Sequence, residues 1–191
     1  VFNFSPAYFS NVAILATHVY GYPCDVEAIA EIAKRHNLKV IYDGAHAFGV
    51  KVNGTSIYKF GDMSTVSFHA TKVFHTVEGG AVISQNKIHD ERIFLSKAFG
   101  HRADDHFRIG INGKNSELHA AMGLCNFKNI AESITHRKML SEMYCHYLKN
   151  LTVKCWQPDD NIAYNYAYFP LIFKNYEEMQ QVKQTLEEHG I

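Results

Sequence analysis

Two side chains of opposite charge follow apolar runs in the first half of the 191-residue sequence. Asp43 ends a run at residues 38–42, and Lys72 follows a second run at residues 63–68. Ligands of open parallel sheets bind beyond the carboxyl ends of the strands, so both side chains are candidate ligand-binding groups. From position alone, the alternatives are a helix-capping aspartate and a surface lysine.

An amine and a carboxylate at neighbouring strand ends suit pyridoxal phosphate. This cofactor needs a lysine for its Schiff base and an acid that keeps its ring nitrogen protonated. Ser67 and Thr71 add hydroxyl groups that can donate to an anion, and residues 78–80 form a glycine-bearing turn that permits close backbone approach. The residue types therefore favour a pyridoxal-phosphate site that contains Asp43 and Lys72.

The elements that must position these residues alternate between strand and helix patterns, which predicts an α/β layered fold. A strand at residues 12–18, a helix at 25–35 and a strand at 38–42 form a predicted parallel βαβ unit. The pair Asn53 and Gly54 predicts a hairpin turn within residues 50–57. Further strands are predicted at residues 63–68 and 81–84.

The second half is predicted to be mostly helical before its character changes near Asn150. Helices are predicted at 88–99, 116–128, 130–148 and 176–189, a loop at 101–115, and strands at 153–156 and 164–173. The alternating tyrosines of residues 164–168 are interpreted as strand packing. We therefore divide the chain into a partial large domain at residues 1–150 and the start of a small α+β domain at residues 151–191.

Composition argues against several classes of protein. Lysine plus arginine equals aspartate plus glutamate, 19 each, so no net basic field favours nucleic acid. No apolar stretch reaches the roughly 18 residues of a membrane span. The four cysteines show no CxxC spacing, and no metal-binding motif such as HExxH occurs. We expect a cytoplasmic protein with reduced cysteines and no metal.

Several motifs in a fixed order resemble the DegT/DnrJ/StrS family of pyridoxal-phosphate-dependent sugar aminotransferases. The matching segments are residues 18–21, 25–29, 40–49, 61–72, 78–81, 110–117 and 119–124, and residues 164–173 resemble the entry into the family's C-terminal domain. The resemblance implies the large domain of the three-layer α/β/α fold called fold type I, present in part, followed by the start of the small domain.

The resemblance also implies a role for each candidate site residue. Lys72 would bind the cofactor as a Schiff base and then move a proton between the sugar and the cofactor, and Asp43 would pair with the ring nitrogen. His46 would lie near the ring and its phenolic oxygen. Ser67 would bind the cofactor phosphate, and Asn112 would reach the phosphate in the neighbouring subunit of a homodimer. His69 is a weaker candidate, because packing or shaping of the substrate site explains it equally well.

The implied reaction transfers an amino group, with glutamate as the expected donor, to a nucleotide-linked keto-deoxysugar. Residues 68–74 most resemble members that act on dTDP-4-keto-6-deoxyhexoses. Such products enter cell-surface polysaccharides, including the lipopolysaccharide O-antigen, or deoxyaminosugars. A dehydratase branch of the family replaces the lysine by histidine, and the presence of Lys72 argues against that branch.

The length departs from the family pattern, because family members are roughly twice as long as this chain. From the resemblance we expect that most of the first part of the large domain is absent, including the glycine- and threonine-bearing loop that cradles the cofactor phosphate and the aromatic residue that stacks on its ring. We therefore expect a fragment with exposed apolar sheet surface. The alternative function is that of a truncated, non-catalytic remnant or a dimer-forming or regulatory module, although Asp43, Ser67 and Lys72 are intact.

Overall fold

The structure of the chain, a computed structural model, describes residues 13–191. The elements in chain order are β1 (Ala13–Thr17), α1 (Val26–His36), β2 (Lys39–Asp43), β3 (Lys51–Val52), β4 (Thr55–Ser56), β5 (Met63–Ser67), β6 (Gly80–Ser84), α2 (Lys87–Lys97), β7 (His101–Arg102), β8 (Asp105–His106), α3 (Glu117–Phe127), α4 (Ile130–Leu148), β9 (Lys154–Cys155), β10 (Ile162–Ala163), β11 (Leu171–Ile172) and α5 (Tyr176–Glu188). Short 3₁₀ turns lie at Val19–Gly21 and Ile57–Lys59. Val12, where the first strand was predicted to begin, lies outside the described residues.

A four-stranded sheet in the order β1-β2-β5-β6 forms the centre of the fold. The β1–β2 and β2–β5 pairs are parallel and the β5–β6 pair is antiparallel. Helix α1 makes the crossover between β1 and β2, which confirms the predicted βαβ unit. Asp25 caps this helix, because its Oδ1 accepts a hydrogen bond from Ala28 N at 2.9 Å.

Helix α1 packs on one face of this sheet, and the other face is exposed. On one face, Val40 and Tyr42 of β2 are buried in a cluster with Val26 and Ala33 of α1, and the segment after β2 completes this core. The opposite face is open: Leu15 of β1 is 72% exposed and Val82 of β6 is 47% exposed. The sheet therefore has a covered face and an open apolar face, as the sequence predicted for a partial domain.

The hairpin predicted at Asn53 and Gly54 is confirmed. Strands β3 and β4 pair across it in antiparallel fashion, and both turn residues have positive φ, 49° and 76°. Such a turn matches the right-handed twist of two short strands. The loop predicted at residues 101–115 differs in one respect, since it contains the two-residue antiparallel pair β7–β8.

The strand predicted at residues 164–173 is wrong for most of its length. Only β11 within that range is a strand, and β10, which pairs with β3, lies just before it. The backbone of Tyr166 has φ +52°, and Pro170 has no amide hydrogen to donate to a ladder. Tyr164 and Asn165 instead use their side chains for hydrogen bonds to loops of the first half of the chain.

Candidate active site

Asp43 lies at the carboxyl end of β2 on the open face of the sheet. It is paired in register with Thr17 of β1 and Thr65 of β5, which are both exposed. Its backbone oxygen accepts a hydrogen bond from His18 N at 2.9 Å, and its Oδ1 accepts one from Ala45 N at 3.0 Å. The second bond forms a tight turn and no helix follows, so the helix-capping alternative is wrong. The carboxylate is held at the sheet edge where ligands of this architecture bind.

Lys72 lies on the loop between β5 and β6, residues 68–79, which we call the lysine loop. Backbone hydrogen bonds close this loop near its base, from Phe68 N to Gly79 O and from Thr76 N to Phe68 O, both at 2.9 Å. Lys72 N donates to His69 O at 2.9 Å, which places the lysine in a tight turn. These bonds fix the backbone that carries the amine, and the lysine side chain is half-buried.

An aromatic cluster joins the lysine loop to the turn after Asp43. The ring of Phe48 stacks on that of Phe74, with centroids 4.5 Å apart and planes 18° from parallel. Phe68 meets the Phe74 ring edge-on at 5.3 Å, and Phe127 of α3 does so at 6.0 Å. Aromatic pairs in these arrangements contribute about 0.5–1.5 kcal/mol beyond the burial of their area. The cluster therefore packs the lysine loop against the turn that follows Asp43.

His46 lies close to both charged groups, as its electrostatics show. Burial lowers the pKa of His46 below 6.5, the positive charge of Lys72 lowers this pKa further, and the negative charge of Asp43 opposes both effects. The Nδ1 atom of His46 is enclosed, and no residue of 13–191 forms a hydrogen bond with it. An enclosed nitrogen without a protein partner is available for a ligand.

The other predicted site residues divide into two groups. Ser67 ends β5 two residues beyond Thr65, on the same open face as Asp43, and its Oγ accepts a hydrogen bond from His69 N at 3.3 Å. His69 Nε2 lies 3.6 Å from Glu78 Oε1, so its side chain spans the two ends of the lysine loop. Asn112 is exposed on the loop before α3, where its backbone bridges Ala98. Asp43, His46 and Lys72 thus lie near one another, Ser67 is on the same open face as Asp43, and Asn112 is exposed on the loop before α3.

Two residues at the site were missed by the sequence analysis. The hydroxyl oxygen of Tyr168 lies 3.3 Å from His46 Nε2, and both amide hydrogens of buried Asn165 bind the backbone of the turn that carries His46. The alternating tyrosines indicated only a strand. One signal was available: an asparagine within an aromatic run is a polar group in apolar surroundings, which must find hydrogen-bond partners.

The set of side chains fits pyridoxal phosphate. The open face carries a carboxylate for the ring nitrogen, an amine on a fixed loop and a hydroxyl at a strand end. Near them, the enclosed Nδ1 atom of His46 has no hydrogen-bond partner among residues 13–191. In the part of the chain that the structure describes, no helix is long and apolar enough to cross a membrane.

Comparisons with curated proteins give named relatives over most of the chain. It is 42% identical over 165 residues to the dTDP-4-amino-4,6-dideoxy-D-glucose transaminase of Shigella dysenteriae, a match that covers 85% of this chain and 45% of that protein. It is 33% identical over 177 residues to the GDP-perosamine synthase of Escherichia coli O157:H7, covering 91% and 48% respectively. The chain therefore spans about half the length of the curated relatives it matches.

Solved structures of sugar aminotransferases are also similar to this chain. The structure of DesI in the presence of its TDP-sugar product superimposes with a TM-score of 0.81 at 30% identity, over 88% of this chain and 44% of that one. The aminotransferase TlmJ from Streptoalloteichus hindustanus superimposes with a TM-score of 0.88 at 22% identity, over 94% and 50%, and shows the fold alone. These matches confirm the predicted fold class, part of the fold-type-I large domain followed by further α+β structure.

A family model covers nearly the whole sequence. The match to the DegT/DnrJ/EryC1/StrS aminotransferase family runs over residues 9–191. The chain belongs to this family.

Proposed function

We propose that this chain carries the cofactor-binding half of a pyridoxal-phosphate-dependent nucleotide-sugar aminotransferase. The observation that supports the proposal best is the grouping of Asp43, His46 and Lys72 at one edge of the sheet, where the charges of the other two alter the pKa of His46. Relatives named as transaminases of dTDP-linked and GDP-linked amino sugars indicate the class of substrate.

Each candidate site residue of this chain would have a separate role in binding the cofactor. Lys72 would hold the cofactor covalently through Nζ, Asp43 would hold the ring nitrogen in its protonated form, and Ser67 would bind the phosphate. Bound pyridoxal phosphate supplies an electron sink for the carbon from which a proton is removed. The amine of Lys72, once free, would accept that proton and return it, because the lysine loop holds its backbone beside the site.

The proposed enzyme would act on a particular amino acceptor and donor, and it would work as an assembly of two subunits. The amino acceptor would be a dTDP-4-keto-6-deoxyhexose, since the transaminase relative at 42% identity is named for a dTDP-linked 4-amino sugar. Glutamate would be the amino donor. Asn112, which is exposed, would act in the site of a second subunit, as the family resemblance implies.

The test is an absorbance titration of the chain with pyridoxal phosphate, followed by reduction with borohydride and peptide mass spectrometry. We expect a visible Schiff-base band and a reduced adduct on Lys72 in the natural chain. The Lys72→Ala variant should lose both. Lys87→Ala, which removes an exposed lysine at the start of α2, should keep both.

Addition of glutamate then distinguishes binding of pyridoxal phosphate from transfer of an amino group. Loss of the visible band on addition of glutamate, with formation of 2-oxoglutarate, would support transamination. A band of equal strength in Lys72→Ala would contradict the assignment of the lysine. A folded chain that gives no band would favour the alternative function, a non-catalytic or dimer-forming module.

A further inference from the structure

Residues 164–168, which we call the clamp segment, hold the turn that carries His46 although they lie far away in sequence. Buried Asn165 donates from Nδ2 to His46 O at 2.8 Å and to Phe48 O at 2.9 Å, across 119 and 117 residues of chain. Its Oδ1 accepts from Ala167 N at 3.1 Å, so all the polar atoms of this side chain are used. The backbone of the His46 turn is therefore fixed by the clamp segment.

Tyr168 of the same segment contacts the His46 side chain directly. The phenol oxygen lies 3.3 Å from Nε2, and the two ring centroids are 4.8 Å apart. Tyr20 also packs against Tyr168, with the two ring centroids 5.2 Å apart. Tyr168 is thus held by neighbours and cannot turn away from His46 without breaking this packing.

A hydrogen bond at this contact would determine which nitrogen of His46 carries the proton. A neutral imidazole has one N–H group and one acceptor nitrogen, and the hydrogen bond at one nitrogen sets the state of the other. A phenol hydroxyl is a good donor with a weakly basic oxygen, and an unprotonated imidazole nitrogen is a strong acceptor. The favoured arrangement therefore has the Tyr168 hydroxyl donating to Nε2.

We propose that Tyr168 is a positioning residue: its hydroxyl holds neutral His46 in the tautomer that is protonated on Nδ1. The enclosed Nδ1–H group, which has no partner among residues 13–191, then serves as a hydrogen-bond donor to an oxygen of the bound ligand. The identity of that ligand as pyridoxal phosphate rests on the proposed function, whereas the tautomer is a property of the chain alone.

The first experiment reads the tautomer by ¹⁵N NMR of the histidine rings at neutral pH, without cofactor. The His46 signals are assigned by their loss in His46→Gln. We expect Nδ1 to be the protonated nitrogen in the natural chain, and Tyr168→Phe to shift the population toward Nε2–H. Tyr164→Phe is the matched control, because it removes a hydroxyl of the same segment that binds Tyr20 O instead, and it should leave the His46 signals unchanged.

The second experiment measures the dissociation constant of pyridoxal phosphate by titration. Tyr168→Phe should weaken binding by about two- to tenfold, the range for one neutral hydrogen bond. In a His46→Gln background the same change should have no further effect, since Tyr168 is proposed to act through His46. An equal loss in both backgrounds would show a merely structural role for Tyr168 and would overturn the proposal.

The NMR outcome decides the proposal independently of cofactor binding. A natural chain with the proton on Nε2, or a Tyr168→Phe chain with an unchanged tautomer, would overturn it. If no variant binds pyridoxal phosphate but the tautomer responds as expected, the role of Tyr168 stands and the proposed function fails.

Discussion

His18 is a histidine that the folded chain must keep neutral. It is 1% exposed, its ring stacks on that of Tyr42 at 4.6 Å, and its Nδ1 accepts a hydrogen bond from Cys24 N at 3.1 Å. Burial lowers the pKa of His18 from 6.5 to about 4, although the nearby negative charge of Asp43 acts in the opposite direction. Because His18 N also binds Asp43 O, this histidine supports the strand end that carries the candidate acid.

We predict that this histidine makes the fold sensitive to acid below neutral pH. Between pH 6.5 and about 4, the unfolded chain binds a proton at His18 that the folded chain does not. The free energy of unfolding should therefore decrease as the pH falls through this window, by at most about 3 kcal/mol at its lower end. Urea denaturation at a series of pH values measures this slope.

The control for the acid effect is His18→Gln, which removes the titrating group. This variant is expected to be less stable near neutral pH, since it loses the stacked ring, but its stability should depend less on pH across the window. The same slope in both chains would assign the acid sensitivity to other groups.

At the scale of elements, local sequence patterns predicted the strands, turns and helices correctly where residues close in sequence determine the structure. The βαβ unit, the hairpin at Asn53 and Gly54, and helix α4, predicted at residues 130–148, follow from periodicity, capping and turn chemistry. The positions of Asp43 and Lys72 could be predicted for the same reason, because each follows a strand with a clear apolar pattern.

Residues 164–168, the clamp segment, show why other parts of the fold and of the candidate site could not be predicted from the sequence. Its tyrosines alternate as in a strand, yet the hydrogen bonds of Asn165 and Tyr164 lead to residues more than a hundred positions earlier. These contacts, with the positive φ of Tyr166, override the local preference for a ladder. A pattern within ten residues carries no information about such partners, so the contact between Tyr168 and His46 required the structure.

Helix α3 positions the lysine loop through a glycine. A Cβ atom at Gly123 would lie 2.8 Å from Cγ2 of Thr76, and Asn126 donates to His75 O at 2.9 Å. The absence of a side chain at Gly123 therefore allows the helix to approach the loop that carries Lys72. This close contact explains a glycine in the middle of a helix, where it usually costs about 1 kcal/mol relative to alanine.

We predict that Gly123→Ala destabilises the chain despite its better helix propensity. Thr76 is buried and its backbone nitrogen binds Phe68 O, so the loop cannot yield without loss of that bond. The expected net loss is about 1–2 kcal/mol, as for other overpacked sites, together with weaker binding of pyridoxal phosphate. Thermal denaturation and cofactor titration measure the two effects.

A substitution at Thr76 tests whether the contact with its Cγ2 atom causes the loss of stability in Gly123→Ala. Thr76→Ser removes Cγ2 and keeps the hydroxyl that donates to Glu78 O at 2.6 Å. The double variant Gly123→Ala/Thr76→Ser should recover most of the stability that Gly123→Ala loses. A single variant that is more stable than the natural chain would contradict the proposed contact.

At the scale of the whole molecule, the chain exposes many large apolar side chains. Leu118 at the start of α3 is 83% exposed and Ile109 of the preceding loop is 98% exposed, in addition to Leu15 on the open sheet face. Large exposed apolar patches mark surfaces that are covered by partners. The formal net charge is zero, so electrostatic repulsion between copies does not oppose association.

We therefore predict that the chain self-associates and that the surface around Asn112 mediates the contact. Sedimentation velocity over a range of concentrations should give a mass above the 21.7 kDa of one chain. Leu118→Glu places a charge on an exposed apolar position six residues after Asn112, so it should shift the equilibrium toward monomer. Leu15→Glu, on the open sheet face, is the matched control and should leave this association in place. The reverse result would assign the contact to the open sheet face, and it would remove the reason to place Asn112 in the site of a second subunit.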